Sequence, residues 1–271
     1  NVHLTGAVGT VQLDNTFQVF IIGFDHNKDL EGGGITFQGF KNYRPDNDDD
    51  IDDIVIVDEH YNAEDVPGSQ EKTFSMNHGK QSVSGGWKGC DLRYDILGST
   101  DVLGADASST TATNPGEGTL MSTLPVELRK VLKPMGIYSN NATNETYQDI
   151  NDPNNVTKTI DYLPLLSAYE IYGDTLLVFD EEDPENVRSP YINLGESDKQ
   201  EHYKYYSDGG NVIRVDYTDD SYWTGTGGDF WWVRSIFGSQ LGGSFMFCSQ
   251  SYNIGPNHSN ISLGLSVIFR V

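Results

Sequence analysis

Apolar residues in this chain come in short runs separated by long polar stretches, and most runs alternate as strands do. Residues 10–24, TVQLDNTFQVFIIGF, carry Phe17, Val19, Phe20, Ile21 and Ile22 behind an Asp14-Asn15 turn signal. That pattern predicts a β-hairpin or a strand pair entering the core. GGGITFQGF at 32–40 predicts a short strand after a flexible loop, and Ile54-Val55-Ile56-Val57 a buried strand. Toward the carboxyl end NVIRVDY, FWWVRS, SFMFCS and LSVIFRV predict a succession of strands and turns. Helical spacing shows in two places. Within 118–133, Leu124, Leu128 and Leu132 recur every four residues, Thr123 suits an N-cap, Pro125 and Glu127 suit a first turn, and Pro134 stops the helix. Residues 197–207, SDKQEHYKYYS, predict a second helix closed by Asp208-Gly209-Gly210. DYLPLLSAYEIYG at 161–173 fits a strand or a short buried helix, since Pro164 opposes a long one. With no internal repeat and no linker, residues 1–271 read as a single α+β domain with few helices, short antiparallel sheets and long loops.

The chain has 271 residues, enough to bury a substantial core without covalent staples. Its 40 acidic and 17 basic residues give a net charge of −23. A polyanion of that size is repelled by DNA, RNA and anionic lipid, so nucleic-acid binding is not expected. No apolar run reaches bilayer length, and no charged-then-apolar signal segment opens the chain. Asn1 as first residue fits a mature or trimmed form, with residues 1–9 the end of a missing amino-terminal anchor. Cys90 and Cys248 lie far apart; two cysteines do not make a disulfide scaffold, and buried free thiols are the expected state.

The last forty residues carry the functional signal. The aromatic block Phe230-Trp231-Trp232-Val233-Arg234-Ser235 and the apolar strand Gly264 to Val271 enclose SIFGSQLGGSFMFCSQSYNIGPNHSNIS. Ser, Gly and Asn adapt their hydrogen bonding, while Tyr, Phe and Trp give contact area at low entropic cost. A stiff frame around such a filler predicts a display surface. Its contact residues are expected to be Phe237, Ser239, Gln240, Ser249, Ser251, Tyr252, Asn253, Asn257, His258, Ser259 and Asn260. Alternation along 244–249 puts Phe245 and Phe247 on one face and Ser244, Met246 and Cys248 on the other, leaving open which face is wet. Trp231, Trp232 and Arg234 read as structural support: adjacent tryptophans on a strand point to opposite sides, one into the core and one beneath the surface. Arg234 is expected to pair with a carboxylate or stack on an aromatic ring.

Several motifs, taken together, resemble one family. Gly85-Gly86-Trp87-Lys88-Gly89-Cys90-Asp91-Leu92-Arg93 is followed by LPVELRKVLKP at 124–134, DYLPLL at 161–166, HYKYY at 202–206 and Trp231-Trp232-Val233-Arg234-Ser235. Their order and wording resemble the DUF6273 family over residues 10–271. That family is a C-type-lectin-like domain related to the formylglycine-generating-enzyme fold. The resemblance implies a compact domain whose last strands carry a solvent-facing ligand surface. Variable proteins of diversity-generating retroelements share this fold, with a hypermutated carboxyl-terminal segment, as in phage tail-tip receptor-binding proteins. SQSYNIGPNHSNIS has the composition that adenine mutagenesis yields. The chain departs at Ile236, where the family often has Pro, and in its Val-Ile-Phe-Arg-Val ending. The implied function is a non-enzymatic receptor-binding protein on a virion tail tip or fibre, or on a bacterial cell surface. Its partner is a host-cell protein or glycan, and multivalent display as a homo-oligomer adds avidity. The alternatives are a structural virion component and an enzyme of the related oxidase fold.

Catalytic and metal chemistry is less well marked. The related oxidase holds copper between two neighbouring carboxyl-terminal cysteines, whereas Cys248 has none nearby. No HExxH, GxSxG or phosphate loop is present, and His3, His26, His60, His78, His202 and His258 show no paired ligand spacing. No cofactor is expected. Asp46, Asp48, Asp49, Asp50, Asp52 and Asp53 offer hard oxygens for Ca2+ but lack the spacing of an EF-hand, so a solvated loop is the plainer reading, as for Asp180, Glu181, Glu182 and Asp183. The five Asn-x-Ser/Thr triplets, at Asn141, Asn144, Asn155, Asn257 and Asn260, follow from an Asn-rich composition.

Overall fold

The computed structural model describes residues 1–42, 56–58, 60, 63–64, 73–100, 110–173, 178–179, 187–188, 196–210, 230–239, 242–249 and 254–271. In chain order the strands are β1 (Val2–Val8), β2 (Val11–Phe24), β3 (Ile35–Asn42), β4 (Met135–Asn140), β5 (Val156–Asp161), β6 (Val178–Phe179), β7 (Val187–Arg188), β8 (Phe230–Ser239), β9 (Gly242–Ser249), β10 (Ile254–Asn257) and β11 (Val267–Arg270). The helices are α1 (Lys28–Glu31), α2 (Gly86–Gly89), α3 (Leu120–Thr123), α4 (Val126–Arg129), α5 (Tyr147–Ile150), α6 (Ala168–Tyr172) and α7 (Lys204–Ser207). A π-helical turn covers Leu92–Ile96 and a 3-10 turn Pro153–Asn155. The fold class is α+β. Among the described residues no helix is long and apolar enough to cross a membrane.

The described residues form three sheets. One has the order β1-β2-β3-β11, so the first strands and the last lie side by side; a second runs β7-β6-β10-β9-β8; β4 and β5 pair alone. The pairs between neighbouring strands are antiparallel except β6 with β10. The amino-terminal hairpin turns at Gly9-Thr10, between the paired Val8 and Val11, and not at Asp14-Asn15. Gly9 takes the left-handed conformation that a two-residue hairpin turn needs (φ 55°). Asp14 and Asn15 instead pair with Thr5 and Leu4 inside the ladder. That register keeps Leu13 and Phe17 in the core.

The expected helix over 118–133 is two four-residue helices, α3 and α4. Leu124 is extended (φ −70°, ψ 141°), because the ring of Pro125 disfavours helical geometry in the residue before it. The cap of α3 is Thr119, whose side chain accepts from the Ser122 amide; Thr123 lies inside the helix and donates to the Leu120 carbonyl. The expected helix over 197–207 survives only as α7. Upstream of it Gln200 and Tyr203 are buried, and the Tyr203 amide bonds the Glu170 carbonyl (2.9 Å), so tertiary partners override helical spacing. In 161–173, Asp161 ends β5 and the remainder yields the short buried helix α6. Of 54–57 only Ile56 and Val57 are described, with Ile56 bridged to Leu265. NVIRVDY lies outside the described residues.

β11 is held by a buried guanidinium. Arg270 donates from Nη2 to Glu31 (2.9 Å) and from Nε to the Thr36 hydroxyl (3.0 Å), and Nη1 bonds the Gly32 carbonyl. His26 stacks on Tyr203 beside this pair (3.5 Å between ring centroids). Burial, reinforced by the nearby Glu170 carboxylate, pushes the Glu31 carboxyl up to about 8, and Arg270 does not offset it. Burial pulls the His26 imidazole down to about 4. From pH 4.5 to 8 the folded chain therefore holds a proton on Glu31 that the unfolded chain has released, so this contribution to stability is lost as pH rises. The His26 contribution is lost in the opposite direction, as pH falls from 6.5 to 4. Above pH 6.5 Glu31 acts without His26. Urea unfolding is expected to show stability falling between pH 6.5 and 8, with a slope from Glu31 of up to about 1.4 kcal/mol per pH unit. Glu31→Gln is expected to reduce that slope, and an unchanged slope would contradict the assignment.

Candidate functional site

The carboxyl-terminal ribbon is built on β8. Trp231 and Trp232 point to opposite sides of it, yet both are buried, because α2, α5 and α6 all pack against this strand. Neither therefore floors an exposed surface. The Trp232 indole donates to the Phe74 carbonyl (2.9 Å), which satisfies its one polar atom. Two residues further on, Arg234 is wholly enclosed. Its guanidinium meets Glu170 in a two-pronged pair (Nη1 to Oε2 2.7 Å, Nη2 to Oε1 2.5 Å). It also donates to the carbonyls of Leu165 (2.6 Å) and Tyr138 (3.2 Å). Glu170 is placed by the start of α6, where Ser167 and Glu170 form a reciprocal capping box.

A second buried carboxyl sits beside this pair. Glu196 accepts from the Ser235 hydroxyl (3.0 Å) and the Asn140 amide (3.1 Å), and burial holds its pKa above the usual carboxylate range against the pull of Arg234. The Ser235 hydroxyl also accepts from the Ala168 amide (3.0 Å). Successive residues of β8 are thus tied to β4, α6 and the turn at 196–199. The GGWKGC motif has a comparable structural role. Arg93 pairs with buried Asp161 (2.7 Å), which also accepts from the Trp87 indole (3.3 Å) and the Ser99 hydroxyl (3.1 Å). Gly86 (φ 52°) passes so close to the Asn140 carbonyl that a Cβ would collide with it.

On this frame the expected contact residues divide. Phe237 is half-buried in β8 opposite Ser244; Asn257 is half-buried at the end of β10, and His258 is exposed just beyond it. Ser259 and Asn260 are not exposed contacts: they are 2 % and 7 % exposed. The Ser259 carbonyl accepts from the Asn77 amide (2.8 Å), and its hydroxyl accepts from the Ser82 amide (2.8 Å) and donates to the Lys80 carbonyl (2.7 Å). Ser259 therefore fastens the ribbon to the 77–84 loop. Ser239 and Ser249 are the last residues of β8 and β9. Gln240, Ser251, Tyr252 and Asn253 lie outside the described residues. In β9, Phe245, Met246 and Cys248 are all buried. This strand lies between β8 and β10, and neither of its faces is a simple wet face.

The partnership of the 77–84 and 143–146 loops with the ribbon was not legible from local pattern. Ser82 and Glu145 are hydrogen-bonded through Oγ and Oε1, and the same carboxylate oxygen accepts from the Val83 amide (2.9 Å) and the Ser84 amide (3.3 Å). The available signal was compositional, in the Asn- and Thr-rich stretch at 140–155.

The atoms of a nucleophile relay do occur. The Ser75 hydroxyl lies 3.1 Å from His78 Nδ1, and His78 Nε2 lies 3.9 Å from Asp95. Ser75, however, is 0 % exposed and also accepts from the Thr73 hydroxyl, so its oxygen faces packed side chains and not a substrate cleft. Cys90 and Cys248 are free and buried, and burial pushes both thiols up to about 12, which leaves them protonated. The described residues include no group of three His, Cys, Asp or Glu able to hold a metal. The acidic runs at 46–53 and 180–183 lie outside the described residues. Comparison with protein-family models, curated proteins and solved structures finds no match to this chain.

Arg234→Ala removes one partner of a fully buried pair and leaves Glu170 uncompensated. The variant is expected to lose about 3–5 kcal/mol of unfolding free energy in urea. The double replacement Arg234→Met with Glu170→Leu is expected to recover part of that loss, because it removes both charges together. A single variant as stable as the parent would show that the pair does not hold β8.

Proposed function

We propose that this chain is a non-enzymatic binding protein of C-type-lectin-like architecture, related to the DUF6273 family and to retroelement-diversified variable proteins. It acts on a phage tail or a bacterial cell surface and attaches to a host-cell protein or glycan. One observation carries the reading. β10 leaves the core at buried Ile254, reaches solvent at Pro256 and His258, and is anchored again at buried Ser259. A short polar tip is thus presented by a frame that is rigid on both sides, the arrangement that limits the entropic cost of binding. The lectin-like reading is supported by the first and last strands sharing one sheet while β8–β10 belong to another. The diversified reading is supported by the Ser, Asn, Gly and His composition of 249–260. The non-enzymatic reading is supported by the enclosure of Ser75 and of both thiols.

The test is attachment of the labelled chain to a panel of bacterial cells. Asn257→Ala and His258→Ala are expected to weaken attachment about tenfold, roughly the loss of one good contact, without moving the thermal midpoint. Undiminished attachment would count against a ribbon-borne site.

A structural virion component is favoured by one different observation. Phe24 is 70 % and Ile21 42 % exposed, and the register of β2 with β3 sets them opposite Ile35 and Phe37 on one sheet face. Exposed apolar side chains grouped on one face of so acidic a chain suit a second copy once salt screens their repulsion. Sedimentation at high ionic strength is expected to show a dimer that Phe24→Ser dissociates; a monomeric parent chain rejects this reading.

A further inference from the structure

The ribbon does not account for the polar loops fastened to it. The Ser259 hydroxyl holds the 77–84 loop through the Ser82 amide and the Lys80 carbonyl. That loop holds the 143–146 loop in turn, through Ser82, Val83 and Ser84 on the Glu145 carboxylate and through the Ser84 hydroxyl on the Thr143 carbonyl (2.6 Å). The Asn77 side chain braces the first loop from within, donating to the Ser82 carbonyl (2.6 Å) and accepting from the Asp91 amide (3.2 Å). Three loops distant in sequence thus form one hydrogen-bonded surface. Its exposed side chains are Lys80, Gln81, Ser84, Thr143, Asn144, Thr146 and His258.

The chemistry of that surface is selective. Its groups are hydroxyl, amide, imidazole and one ammonium. Glu145 is the acidic residue among them, and one oxygen of its carboxylate, Oε1, is taken by three donors of the 82–84 segment. Protein partners dock around large apolar or arginine anchors, and the exposed large apolar side chains of the described residues (Ile21, Phe24, Tyr94, Val126, Val131 and Ile160) all lie outside these three loops. A polyanion is opposed by the net charge of −23. What remains is a neutral ligand with many hydroxyls, each able both to donate and to accept. Asn260, 7 % exposed beside the Ser259 junction, has a buried Oδ1 that accepts no hydrogen bond among the described residues.

We propose that residues 77–84 and 143–146, locked to the 257–260 tip through Ser259 and Glu145, form a composite site for a neutral saccharide. The proposal rests on the binding reading above and names its ligand class. Lys80, Gln81, Asn144 and His258 contact the sugar hydroxyls; Glu145 and Ser82 position the loops.

The experiment is retention of the full chain on an array of printed neutral oligosaccharides, with sulfated oligosaccharides as a second set. The parent chain is expected to be retained on neutral members. Gln81→Ala and Asn144→Ala are each expected to lower retention about tenfold at unchanged thermal midpoint, and Glu145→Gln to lower it by releasing the loops. No retention on neutral sugars, retention on sulfated ones alone, or loop variants that bind like the parent would each overturn the proposal. Cell attachment separates the two levels. If the loop variants attach normally while His258→Ala does not, the composite saccharide site fails and the binding reading stands. If none of these variants changes attachment, both fail.

Discussion

A guanidinium wholly removed from water needs partners for its donors, and Arg234 places four of its five N–H groups on partners from three parts of the chain. Glu170 takes two of its bonds from α6, the Leu165 carbonyl takes a third, and the Tyr138 carbonyl of β4 takes a fourth. The backbone amide of the same residue bonds the Leu166 carbonyl (2.9 Å). Because each bond is directional, β8 has one position relative to α6 and β4. β9 and β10 follow from β8 through their ladders, and Ser259 follows from β10. Arg93 with Asp161 and Arg270 with Glu31 repeat the device at two other junctions. Arginine serves in all three because its planar fork holds a carboxyl group, ionised or (at Glu31 below about pH 8) protonated, and carbonyls at the same time, which a lysine cannot do.

Part of this was legible in the sequence. FWWVRS, SFMFCS and LSVIFRV are strands, since their apolar and β-branched content gives them no stable alternative to a covered sheet. For Arg234 the sequence left two partners open, a carboxylate or an aromatic ring, and the structure has the carboxylate. That the carboxylate is Glu170 was not readable, for the two residues are brought together only by the tertiary fold. The misplaced hairpin turn has a simple cause. Asp-Asn signals a turn locally, but Gly9 supplies the left-handed geometry at lower cost and leaves Leu13 and Phe17 on the core face. The helix expected over 118–133 failed at Pro125, whose effect on the residue before it outweighs the leucine spacing.

The candidate site was legible in outline and not in detail. Composition pointed to the 249–260 segment, and Asn257 and His258 do reach solvent. Ser259 and Asn260 share that composition but are buried, because short polar side chains serve equally well as internal ties between loops. Sequence could not distinguish a serine that faces a ligand from one that faces Ser82 and Lys80. Nor could it place Glu145, which lies far from the ribbon along the chain yet ends the same series of hydrogen bonds. Glu145 serves the loops and not a partner through Oε1, which accepts from Ser82, Val83 and Ser84.

The central claim is that a frame fixed by buried arginines carries a solvent-facing tip. Native-state hydrogen exchange measured residue by residue tests it most directly. The amides of Trp232, Arg234, Gly264 and Ile268, bonded respectively to Gly264, Leu166, Phe230 and Pro164, are expected to exchange only through global unfolding. The His258 amide, exposed and bonded to its neighbouring Asn257 side chain, is expected to exchange orders of magnitude faster. Frame amides that exchange as fast as the tip would contradict the account.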